Sequence, residues 1–68
     1  MKNTLSTIMG HKKLKISDLQ KNTGISRTTL HDLYYEKSLN PDTKTVMTLC
    51  NFLDVTPDEF FGFKNLNI

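Results

Sequence analysis

Sixty-eight residues with nine Lys/Arg, seven Asp/Glu and one cysteine leave room for one small domain, which must bury its core without an internal disulfide. His11, His31 and Cys50 lack ligand spacing, so no metal site and no cofactor are expected. The net charge of +2 divides unevenly: residues 1–31 hold six bases (Lys2, Lys12, Lys13, Lys15, Lys21, Arg27) against Asp18, giving +5, and residues 32–68 carry −3. Such a split suits either a polyanion partner at one end or a solvated basic face.

Along the chain, apolar residues recur at helical spacing and nowhere alternate over strand length, which predicts an all-α fold of five short helices. The first is expected over residues 3–11, with Leu5, Ile8 and Met9 on one face and Gly10 weakening its end. The second begins near Ile16 or Ser17 and groups Ile16, Leu19 and Thr23 before Gly24 stops it. Ser17 with Gln20 forms a capping-box pattern, whereas Asp18 suits the first turn of a helix starting one residue earlier. The third runs from the cap Ser26 to about Glu36, with Leu30, Leu33 and Tyr34 inward and Ile25 and Leu30 placed as a hydrophobic staple. After the loop KSLNPD, Asp42 is expected to cap a fourth helix whose buried stripe is Val46, Leu49, Cys50 and Leu53. Thr56-Pro57-Asp58-Glu59 announces a short fifth helix with cap, first-turn proline and box-closing acid, stapled by Val55 and Phe60.

The informative stretch is Leu19 to Leu33. A helix ends at a glycine, one apolar residue tucks inward, and a capping serine starts the next helix. Two helices crossing steeply over so short a turn make a helix-turn-helix at about residues 16–36. The outward face of its second helix suits duplex DNA. Arg27 can donate twice to a guanine edge, Thr28 can bond a base or touch a thymine methyl, and Asp32 can accept from cytosine N4. His31 donates or accepts according to its tautomer. Arg27 also stands in a first turn, where the helix dipole disfavours a cation. Lys12, Lys13, Lys15, Ser17, Ser26, Thr29, Tyr35 and Lys37 are candidates for phosphate contacts. Singly, each of these residues reads as well as plain polar surface; together with the glycine turn and the basic N-terminal half they favour DNA.

The run TGISRTTLHDL, the loop with Asn40-Pro41 and the stretch TVMTLCNFLDVTPDEFF together resemble the lambda-repressor-like, Cro and cI type (xenobiotic-response-element family) of helix-turn-helix regulators. The resemblance spans residues from about 4 to 61. It implies a five-helix domain, sequence-specific operator binding and, often, a homodimer on a palindromic site. It also implies base contacts from the two positions after the third helix's cap and from one a turn later, here Arg27, Thr28 and Asp32. Three positions depart from the family pattern. Gln20 replaces a small alanine, which should loosen or alter the packing of the second helix on the third. Met9 and Tyr34 stand where many members pair an arginine with a glutamate. Glu36 replaces a glycine after the third helix, which would let that helix run longer.

Other functions fit less well. Asp58 and Glu59 are a helix-start acid pair, no serine or cysteine has a base nearby in sequence, and no phosphate-binding glycine loop is present, so an enzyme is not expected. The opening MKNTLSTIMGHKK has no unbroken apolar run, and a free thiol suits a reducing compartment, so a cytoplasmic protein without a membrane partner or small-molecule ligand is expected. The apolar tail Phe61, Phe63, Leu66 and Ile68 either forms an isologous dimer patch or folds back on Leu5 and Ile8. The main expectation is therefore a transcriptional regulator of prokaryotic or phage type, a repressor. The alternative is a protein-interaction or antitoxin-like module on the same fold.

Overall fold

A computed structural model of the chain describes residues 1–38 and 40–66. Among these the order is α1 (Leu5–Lys12), α2 (Ile16–Thr23), α3 (Arg27–Tyr34), α4 (Thr43–Leu53) and α5 (Pro57–Phe60), with no strand. The expected all-α, five-helix architecture is the one observed. The helices enclose one apolar cluster in which Leu5, Ile8, Leu19, Leu30, Leu49 and Phe60 are fully buried. Each such side chain contributes about 1.5–3 kcal/mol relative to exposure. Within that cluster α3 packs on α2 and α1, while α4 packs on α2 and α5.

Helix ends differ from the sequence expectations where the chain uses long-range or unusual termini. Helix α1 starts at Leu5 rather than residue 3, because Asn3 is outside the helix and accepts the Leu5 N–H on its side-chain oxygen at 2.9 Å. Thr4 meanwhile ties this end to α5, donating its N–H to the Phe60 carbonyl at 2.8 Å and its hydroxyl to the Glu59 carbonyl at 2.8 Å. At the other end α1 passes through Gly10 and stops after Lys12, with Lys13 left-handed at φ 57°. The Leu14 N–H reaches back to the Met9 carbonyl and the Lys13 N–H to Gly10, which together close a Schellman motif without a glycine.

Helix α2 begins at Ile16, and Asp18 rather than Ser17 marks its start: the Asp18 carboxylate accepts the Lys15 N–H at 2.8 Å. Lys15 has no acceptor to return the bond, so this is half of a capping box. Gln20 is exposed, so its side chain stands outside the apolar cluster that α2 shares with α3.

Helix α3 ends at Tyr34, two residues short of the expected Glu36. Glu36 does not lengthen the helix; it takes the left-handed conformation itself, at φ 58°. The Lys37 N–H bonds the Asp32 carbonyl at 2.8 Å and the Glu36 N–H bonds Leu33 at 3.2 Å, again a Schellman closure. Helix α4 buries the expected stripe of Val46, Leu49, Cys50 and Leu53 and ends at a third left-handed non-glycine residue, Asp54 at φ 58°. Asp42 occupies its cap position, but the side chain makes no capping bond. Helix α5 has the full reciprocal box: Thr56 Oγ1 accepts the Glu59 N–H at 3.2 Å, and Glu59 Oε1 accepts the Thr56 N–H at 2.9 Å.

Candidate nucleic-acid interface

The turn between α2 and α3 is built from local hydrogen bonds. Gly24, at φ 75°, donates its N–H to the Gln20 carbonyl at 3.0 Å. The Thr23 hydroxyl donates to the Leu19 carbonyl at 2.6 Å and accepts the Ile25 N–H at 3.2 Å, so one side chain bridges the helix end and the turn. Ile25 then packs on the core cluster that contains Leu30, where the staple was expected. Ser26 caps α3: its Oγ accepts the Thr29 N–H at 3.2 Å and donates to Thr29 Oγ1 at 2.9 Å. Both hydroxyls are thus engaged in the cap itself, which leaves the Thr29 O–H free to donate outward.

With Leu30 and Leu33 buried, α3 presents Arg27, Thr28, Thr29 and His31 as exposed residues and Asp32 as half-exposed. Among the described residues Arg27 has no ion pair and Thr28 no side-chain hydrogen bond. A guanidinium without a carboxylate, in the turn of the helix least favourable to a cation, keeps all its donors available. His31 Nδ1 lies 4.0 Å from Asp32 Oδ1. Next along the face, the Tyr35 ring centroid is 4.5 Å from that of His31, and Lys37 Nζ is 5.9 Å from the Tyr35 centroid. The four base-reading candidates thus occupy one helix. Tyr35 and Lys37 lie at its far end.

The remaining candidates are more scattered. Lys12 is exposed at the end of α1, Lys13 and Lys15 are exposed on the α1–α2 connection, and Ser17 is exposed in the first turn of α2. That turn already holds a negative group, the Asp18 carboxylate on the Lys15 N–H, which opposes a phosphate at the same helix end. Beside α3 lies a surface the sequence reading did not single out. One polar groove is lined by Ser26, Thr29, Lys44, Thr45 and Thr48, and a second by Thr29, Asp32, Asn40, Asp42 and Thr45. Lys44 carried a readable signal, since it too is a cation in a first helical turn. The neighbouring Thr48 hydroxyl is spent on its own helix, donating to the Lys44 carbonyl at 2.8 Å.

The tail residues divide. Phe61 and Leu66 are half-buried and pack on the core of their own chain, Phe61 meeting Phe60 edge-on at 5.1 Å. Phe63 is 83% exposed, and it borders an apolar hollow with Met1, Lys2 and Phe61. Ile68 lies outside the described residues. Cys50 is 2% exposed; burial first, and the Glu59 carboxylate second, push its thiol above the ordinary value, so it is held as a neutral core group. Among the described residues no cluster of three His, Cys, Asp or Glu side chains could hold a metal ion, and no helix is long and apolar enough to cross a membrane.

No curated protein and no solved structure matches the chain significantly. The family model of the Cro/C1-type helix-turn-helix DNA-binding domain, by contrast, matches residues 4–65, a span that takes in all five helices and the turn at Gly24. On that match, with the five-helix fold and an exposed second helix of the motif, the chain belongs to the Cro/C1-type helix-turn-helix DNA-binding family.

Proposed function

We propose that the chain is a sequence-specific regulator of transcription, a repressor that occupies an operator with α3 in the major groove. The family supports DNA binding and a regulatory role; the observation that carries the finer reading is that Arg27 and Thr28, at the start of α3, are exposed and have no side-chain partner among the described residues. In this reading Arg27, Thr28, His31 and Asp32 meet base edges. Lys12, Lys13, Lys15 and Lys37 supply charge toward phosphates, with Ser17, Thr29 and Tyr35 as polar contacts and Ser26 acting through its backbone N–H, since its hydroxyl proton goes to Thr29. The +5 of residues 1–31 gives such binding a steep salt dependence.

A single short helix reads few base pairs, so the functional species is proposed to be a homodimer on half-sites about 34 Å apart. Of the four tail residues offered for that contact, Phe63 has the most exposed surface to contribute; Phe61 and Leu66 offer less, being half covered by their own core. The whole chain acts as one domain in the cytoplasm, without cofactor or catalysis.

Selection of bound duplexes from a random pool tests the reading. The expected outcome is a two-fold symmetric consensus. A pool that stays random after repeated rounds contradicts sequence-specific binding, and an asymmetric single site contradicts the dimer.

A further inference from the structure

We propose that Tyr35 is a positioning residue for the base-reading face, its ring holding His31 beside Asp32 at the C-terminal end of α3. The inference rests on the DNA-binding reading above and adds a source of its specificity. Four contacts converge there. Tyr34, half-buried against the core, meets the Tyr35 ring edge-on at 4.9 Å with planes 68° apart, which anchors an otherwise outward ring. Tyr35 in turn faces His31 at 4.5 Å with planes tilted by 46°. His31 Nδ1 stands 4.0 Å from Asp32 Oδ1. The Lys37 ammonium lies 5.9 Å from the Tyr35 centroid, within cation–π range.

Tyr35 itself is 56% exposed, so most of its surface gains nothing from burial. What the ring does instead is restrict a neighbour. An unsupported histidine on an exposed helix face exchanges rotamers freely, and freezing it on DNA costs conformational entropy. A ring already packed against His31 removes part of that cost and presents the imidazole in one orientation beside the Asp32 carboxylate. An acid on this face opposes the phosphate field of the duplex, so its carboxylate has to be aimed at a base-edge donor rather than at a phosphate, and the imidazole packed beside it restricts where it points.

The test uses the full chain and a fluorescein-labelled duplex taken from the selected pool. Base pairs whose discrimination falls in Asp32→Ala or His31→Gln, and not in Arg27→Ala, define the part of the site read by this end of α3. Tyr35→Leu is expected to lower discrimination at those pairs by about 2- to 10-fold, the range an aromatic pair supplies. Discrimination at the pair read by Arg27 stays unchanged. Tyr35→Phe, which keeps the ring, restores the discrimination, while its missing hydroxyl lowers affinity for every duplex alike. The proposal is overturned if Tyr35→Leu discriminates as the parent does, if it weakens every base pair alike with discrimination intact, or if Tyr35→Phe fails to restore discrimination. A parent that binds no duplex at all removes the underlying reading and this inference together, a result distinct from the other three.

Discussion

At its N-terminal end α3 is held by residues that adjoin it in sequence: the Gly24 turn, the Thr23 bridge, Ile25 on the core and the Ser26 cap. At its C-terminal end the same helix is held from thirty or more residues away. The Asn3 side chain donates to the Leu33 carbonyl at 2.9 Å, the Asn3 N–H donates to Glu36 Oε1 at 3.0 Å, and the Met1 nitrogen donates to the Glu36 carbonyl at 2.9 Å. The first end is specified by local chemistry, the second by where α1 comes to lie. The difference teaches how a left-handed glutamate is tolerated. Its backbone costs about 1–2 kcal/mol more than a glycine there, and its carboxylate returns a hydrogen bond that glycine cannot make.

The strongest way to break this contrast is Asn3→Ala. It leaves the Leu5 N–H without its partner and removes the shorter of two bonds to the Leu33 carbonyl, which keeps the Glu36 N–H, a loss of about 1–3 kcal/mol by denaturant titration. Hydrogen exchange should speed up first at Glu36 and Lys37 and leave Thr29 and Leu30 protected. Equal loosening at both ends would contradict the distinction.

Next is Gly24→Ala. A Cβ there meets nothing within 4 Å, so the penalty comes only from φ 75°, about 1–2 kcal/mol in thermal unfolding. Ser26→Ala follows at about 1 kcal/mol, with exchange quickened at Thr29 rather than at Glu36. The smallest effect belongs to Glu36→Gly. Relief of the left-handed backbone and loss of the acceptor for the Asn3 N–H nearly cancel, so the melting free energy should move by no more than about 0.5 kcal/mol. A clear stabilisation would show that the carboxylate contributes little.

The same contrast explains what was legible in the sequence. Gly24, Ser26, the Thr56-Pro57-Asp58-Glu59 run and the stripe from Val46 to Leu53 each carry their instruction within a few residues, and α3, α4 and α5 begin where those residues place them. The ends of α1 and α3 were misjudged because Lys13 and Glu36 adopt a conformation usually signalled by glycine. Nothing in a lysine or glutamate announces it; the closing bonds to Met9 and Asp32 depend on the folded chain. Asn3 was placed inside a helix for a related reason, since its partners at Leu33 and Glu36 are distant in sequence.

The outward residues of α3 are readable from helical periodicity, since Leu30 and Leu33 mark the inward stripe. Periodicity puts His31 and Tyr35 on one face at a spacing of four, but the ring contact itself depends on side-chain conformations and on Tyr34 behind it, which spacing does not specify. The groove with Lys44 and Thr45 was hidden too, since only the packing of the α4 start beside α3 brings Thr29 and Thr45 to one hollow.

The most direct measurement is a titration of the parent chain and Arg27→Ala against a selected duplex and a random duplex at the same salt. The parent is expected to bind the selected duplex at least about a thousandfold more tightly than the random one. Arg27→Ala then loses about 1–3 kcal/mol on the selected duplex, at one or two base positions, and little on the random one. Equal losses on both duplexes, or no binding to either at tens of micromolar protein and low salt, would contradict it.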